Sequence, residues 1–132
     1  MDKLEKMDWN PHFSVDIDEI DAYQKKMFSL LNDLINLKKN QVDTKEYTNK
    51  VSQINDFGKL YFNSEEKLYL TSDYPDKELH SEKHNEILQQ LGDFQNEFEK
   101  GNRKVDHDFL EFIKEWLQVH IMSIDKSYRN FI

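Results

Sequence analysis

With 132 residues, the chain is long enough to bury a core without staples and short enough that one domain, 1–132, is expected. A net charge of −8, with 33% of residues charged, argues against nucleic acid or an anionic membrane surface as a partner. The absence of cysteine excludes a disulfide framework and a thiolate metal site, and no apolar run approaches a membrane span or follows a charged leader, so a cytoplasmic location is expected.

Only three glycines and two prolines interrupt the chain, which suits long helices. The opening stretch, residues 1–17, shows no sustained period. Trp9, Phe13 and Val15 mark it as an arm pinned to a bundle formed by 18–132. Apolar residues then recur at helical spacing. Helix A is predicted from Asp18 to Leu37, with Ile20, Met27, Phe28, Leu31, Leu34 and Ile35 on one face. A loop follows, with Asp43 or Thr44 as a cap for helix B. Helix B carries Tyr47, Val51, Ile54, Gly58, Tyr61, Phe62, Leu68 and Tyr69 on its inner side. The break TSDYPDK precedes helix C, with Pro75 in its first turn behind a cap at Asp73. Helix C repeats Ile87, Leu88, Leu91, Phe94 and Phe98 and ends at GNRKVD. Helix D repeats Phe109, Phe112, Ile113, Trp116, Leu117, Ile121 and Ile124 and is predicted to run to about residue 130. Short connections between amphipathic helices predict an all-α, up-down-up-down antiparallel four-helix bundle.

The same period places polar residues on the apolar faces. Gln24 lies inside the stripe of helix A, where an unpaired amide costs about 1–3 kcal/mol. Glu65 follows Tyr61 by four, His80 and His84 precede the stripe of helix C, and His120 follows Trp116 by four. Asp125, five beyond His120, would stand about 140° round an ideal helix, bordering the stripe. In an antiparallel bundle these positions fall roughly 7–15 Å below one common end. Inward carboxylates and imidazoles need partners, because an isolated buried charge costs several kcal/mol or neutralises. A metal ion supplies the partner. Three imidazoles and two carboxylates suit a first-row divalent ion such as iron, manganese or zinc, and His-x-x-x-His puts two rings on one face a turn apart. Each feature alone is weak: an isolated His-x-x-x-His usually lies on a surface or in an ordinary core, and Glu65–Glu66 alone would be a solvated face. Their common depth carries the reading. His12 and His107 lie off the cluster and read as solvated.

These motifs resemble the hemerythrin and bacteriohemerythrin family over nearly the whole chain. WNPHFSVDIDEID is similar to the family's opening, YFNSEEKLY and YPDKELHSEKH to its second and third helices, and EWLQVHIMSIDKSY to its fourth. The resemblance implies a four-helix bundle that holds two irons with five histidines and two bridging carboxylates and binds dioxygen reversibly. It assigns His80, His84 and His120 to one iron, and Glu65 and Asp125 to the bridges. The histidines of the other iron fall at positions occupied here by Gln24 and Tyr61. One half of the centre matches; the other lacks both imidazoles, which makes reversible dioxygen carriage doubtful.

Three readings follow. In a mononuclear site, one ion sits on the three histidines with Glu65 or Asp125, and Gln24 and Tyr61 hydrogen-bond the freed carboxylate oxygens. In a modified dinuclear site, Tyr61 binds as a phenolate and Gln24 through its amide oxygen, suiting redox or peroxide chemistry. In a degenerate site, the chain is an interaction or structural module. The expected function is a non-haem metal-binding protein, with one or two irons (or manganese or zinc), that binds or senses a small ligand such as dioxygen or nitric oxide. No substrate pocket is legible, so catalysis at a three-histidine zinc site is a minor alternative. The chain ends at SYRNFI soon after helix D, and no fused signalling domain is expected.

Overall fold

The computed structural model describes residues 5–40, 44–101, 106–123 and 125–132. It is an up-down-up-down antiparallel four-helix bundle preceded by an arm. The helices are α1 (Asp18–Lys39), α2 (Thr44–Tyr69), α3 (Lys77–Glu99) and α4 (Asp106–Ser123), with short 3-10 helices at Pro11–Phe13 and Asp125–Phe131. The inner faces match the apolar stripes: Ile20, Leu31, Ile54, Phe62, Leu91, Phe98, Ile113 and Leu117 are all buried. Burying each such side chain contributes about 1.5–3 kcal/mol. Among the described residues, no helix is long and apolar enough to cross a membrane.

The arm is held by specific contacts. Phe13 and Val15 are buried, and Phe13 packs on Phe28 with ring centroids 5.1 Å apart. The Met7 amide donates to Asn32 Oδ1 (2.8 Å), and Asn32 Nδ2 donates to the Met7 carbonyl (3.0 Å). Asp16 has φ of 62°, a left-handed conformation that aspartate tolerates better than most residues, and its carboxylate pairs with Arg129 beyond α4. Asp21 in the first turn of α1 accepts from the Val15 amide (2.9 Å) and Ser14 Oγ (2.5 Å), which fixes where arm becomes helix. At the other end of the bundle, α3 stops at Gly101, whose φ of 86° suits glycine, and its amide donates to the Phe98 carbonyl.

Two helix boundaries differ from the sequence expectation. Helix α3 begins at Lys77, not at Pro75, with Asp76 in the cap position making no side-chain cap bond. Pro75 lies in the preceding turn, and Tyr74 beside it is buried. Helix α4 ends at Ser123, and a 3-10 segment replaces the predicted continuation. An ideal helix would carry Asp125 round to the edge of the stripe. The change of winding turns its side chain into the core, where it is fully buried. The cap at Asp43 and the inward position of Ile124 lie outside the described residues.

Candidate metal centre

Three helices and the 3-10 segment bring five buried side chains together: Glu65 from α2, His80 and His84 from α3, His120 from α4 and Asp125. Each offers a ligand atom within 4.8 Å of all the others. The five residues singled out by their common depth are therefore neighbours in space.

Their atoms face one another in an unusual way. His80 Nε2 lies 3.0 Å and His120 Nε2 2.9 Å from Asp125 Oδ1. His84 Nε2 lies 3.1 Å from Glu65 Oε1, which is 4.0 Å from His80 Nε2. Close approach is not always pairing, however: Glu65 Oε1 and His84 Nε2 are buried and have no hydrogen-bond partner among the described residues. For His84 the tautomer explains why. Its Nδ1 lies 2.8 Å from Glu66 Oε2, an acceptor when ionised, so Nδ1 carries the proton and Nε2 presents a lone pair. That lone pair confronts a carboxylate oxygen. Acceptor against acceptor in a dry core is unfavourable by itself, and either a cation between them or a proton on Glu65 removes the conflict.

Outer contacts orient the ligands. Glu66 fixes the His84 ring, and Phe62 stacks on it at 4.0 Å. Tyr74 Oη lies 3.3 Å from His80 Nδ1, and Tyr69 stacks on the His80 ring at 4.6 Å. The Tyr128 hydroxyl donates to Glu65 Oε2 (2.7 Å), and the Tyr61 hydroxyl donates to Asp125 Oδ2. Such partners commonly hold metal ligands in position.

Burial and charge shift the acidities as a dry polar cluster requires. Burial pushes His84 down to about 2, with neighbouring His80 adding to it, and burial lowers His80 as well. Burial, reinforced by the charge of Asp125, raises the Glu65 carboxyl well above its usual range. Burial would raise Asp125 too, but the adjoining His120 and His80 rings outweigh it and hold the carboxyl below its ordinary value. Burial, then the charges of Asp125 and Glu65, raises Tyr61, which therefore stands as a neutral phenol donor.

Gln24 is fully buried, but it does not reach a carboxylate oxygen as the mononuclear reading expected. Its Oε1 accepts from Trp9 Nε1 of the arm at 2.8 Å, and its Nε2 has no partner. Because an indole N–H can only donate, the amide orientation is fixed: oxygen towards the arm, NH2 away from it. Gln24 therefore does not turn its oxygen towards a metal, against the modified dinuclear expectation. Tyr61, by contrast, donates its hydroxyl to a carboxylate, Asp125 Oδ2. His12 is exposed, and His107 is half-buried 2.9 Å from Glu111, so neither joins the cluster.

Sequence reasoning missed Tyr128, Tyr74 and the role of Glu66. Tyr128 follows Ile121 by seven and Asp125 by three, a spacing that continues the inner face. Tyr74 and Glu66 carry no such signal; their roles arise from the turn before α3 and from the rotamer of His84.

The model of the hemerythrin HHE cation binding domain matches residues 15–131. A hemerythrin-like protein from Naegleria gruberi is 27% identical over 124 residues, covering 94% of this chain and 92% of its own. A bacteriohemerythrin from Methylococcus capsulatus is 26% identical over 123 residues, covering 92% and 93%. The crystal structure of a hemerythrin mutant is 25% identical, covers 95% of both chains and superposes with a TM-score of 0.87.

Proposed function

Because the chain belongs to the hemerythrin family, we propose that it is a non-haem metal-binding protein whose centre takes iron and then binds or senses a small diatomic ligand, dioxygen or nitric oxide. The observation that carries this reading is the convergence of three imidazole nitrogens and two carboxylate oxygens within 4.8 Å, with His84 Nε2 and Glu65 Oε1 facing each other without a hydrogen bond. A divalent ion balances two carboxylates, so the filled centre is neutral and suits a dry core. Imidazole and carboxylate donors suit iron, with manganese and zinc as alternatives. When bound, iron would supply the electrons and the open position that a diatomic ligand needs. The chain's own residues hold the donors in place and exclude bulk water. Positions 24 and 61 offer a turned-away amide and a phenol donor in place of imidazoles, which supports binding or sensing over reversible dioxygen carriage.

The test is anaerobic reconstitution with ferrous iron, followed by metal analysis and addition of nitric oxide. The reading expects iron retained through gel filtration and a new ferrous-nitrosyl absorption and paramagnetic signal. Protein that retains no iron, manganese or zinc would overturn it. Retained iron that never responds to nitric oxide or dioxygen would overturn the ligand part alone and favour metal handling.

A further inference from the structure

We propose that this centre is restricted to a single metal ion, and that Tyr61, Tyr128 and Trp9 are the residues that restrict it. The inference rests on the metal-binding reading above and adds the number of ions and what sets it. The five ligand atoms divide each carboxylate in two. Asp125 Oδ1 faces His80 and His120, while Asp125 Oδ2 accepts the Tyr61 hydroxyl. Glu65 Oε1 faces His84 and, further off, His80, while Glu65 Oε2 accepts the Tyr128 hydroxyl at 2.7 Å. The inner oxygen of each carboxylate thus faces the imidazoles, where an ion would sit among them, and the outer oxygen is held by a phenol.

A second ion would have to bridge through those outer oxygens. There it would meet the positive ends of two O–H dipoles, and it would need further donors of its own. The side chains at positions 24 and 61 do not supply them. Gln24 turns its one lone-pair atom, Oε1, to the Trp9 indole at 2.8 Å and leaves its NH2 as a buried donor without a partner. Tyr61 uses its proton on Asp125, so it approaches the cluster as a donor. The remaining outer carboxylate, Glu66 Oε2, lies 2.8 Å from His84 Nδ1. Three oxygens available in principle to another cation, Asp125 Oδ2, Glu65 Oε2 and Gln24 Oε1, therefore already accept hydrogen bonds from Tyr61, Tyr128 and Trp9.

Nor are the phenols free to swing aside. Tyr61 is fully buried, packed against Phe62 at 5.4 Å and stacked parallel to Tyr23 at 6.3 Å. Tyr128 is fully buried against Tyr69 at 5.6 Å and Tyr74 at 6.0 Å. Displacing either hydroxyl means repacking an aromatic core, which resists volume change. The two phenols act as positioning residues: they keep both carboxylates singly engaged and leave one set of five donors for one ion.

The experiment is a titration of the metal-free chain with manganese(II), read by bound equivalents and by electron paramagnetic resonance. One tightly bound equivalent, with the resolved hyperfine pattern of an isolated ion, is expected to persist at excess metal. A second tight equivalent, or the spectrum of a coupled pair, overturns the inference while leaving the metal-binding reading intact. No bound equivalent overturns both. In the double variant Tyr61→Phe, Tyr128→Phe the outer oxygens are released, and a second equivalent should bind at least about tenfold more tightly than to the unaltered chain. A purely structural role for the phenols would lower stability without that gain, and this result would remove them as the restricting residues. If the double variant does not fold, the titration of the unaltered chain decides the ion count, and Tyr61→Phe and Tyr128→Phe taken singly decide the role of each phenol.

Discussion

Removing the single hydroxyl of Tyr128 isolates one bond of the centre in the metal-free chain. Tyr128→Phe keeps the ring that packs on Tyr69 and Tyr74 and leaves no cavity. It deletes the 2.7 Å bond to Glu65 Oε2, and both residues are fully buried, so water cannot replace the donor. An acceptor left unsatisfied in such a place costs about 1–3 kcal/mol. For a chain of 132 residues, about 4 °C of melting temperature corresponds to 1 kcal/mol, so a fall of about 4–12 °C is expected. The assay is thermal unfolding by far-UV circular dichroism in the presence of a chelator, with urea unfolding as a second measure. A change below about 0.5 kcal/mol would place Glu65 Oε2 in contact with water and refute the argument that the phenol is its partner.

Two further outcomes follow from the same geometry. Metal should raise the melting temperature of the unaltered chain, by the equivalent of about 2.7 kcal/mol at a free concentration a hundred times the dissociation constant. In His84→Ala that increase should fall sharply along with bound metal, because one of three imidazoles is gone; an unchanged increase would remove His84 from the centre. The metal-free fold should also lose stability as pH falls from about 7 towards 5. Burial keeps His84 (about 2) and His80 below the histidine range in the folded chain. The unfolded chain therefore takes up protons that the folded chain refuses as pH drops through about 6.5. Glu65 and, more weakly, Glu66 are raised in the fold by burial and act in the opposite sense, so the fall is smaller than the two imidazoles alone would give. A urea midpoint that stays flat or rises on acidification would contradict this assignment.

The helices were legible because their apolar residues recur with the helical period, and the depth comparison needed only that period and an antiparallel order. Glu65, His80, His84 and His120 lie on regular helix, so the period located them. Asp125 was placed less well. No glycine or proline marks the end of α4 at Ser123, and the switch to 3-10 winding brings Asp125 beside His80 and His120, a tertiary arrangement that no local signal encodes. The start of α3 was misjudged for a similar reason: proline favours a first helical turn, but here it belongs to the turn that places Tyr74 against His80. The partner of Gln24 was out of reach. Trp9 lies fifteen residues earlier in an arm without a period, and only the folded chain brings its indole to the amide. The period shows which polar side chains point inward. It does not show which hydrogen bonds they make once there, and at this centre those bonds separate a capped carboxylate from a bridging one.

The most direct measurement is anomalous diffraction from crystals of the metal-loaded chain. The account predicts one anomalous peak, within about 2.0–2.2 Å of the Nε2 atoms of His80, His84 and His120 and of at least one inner carboxylate oxygen of Glu65 or Asp125. No peak among the five residues, or metal confined to acidic groups on the surface, would contradict it.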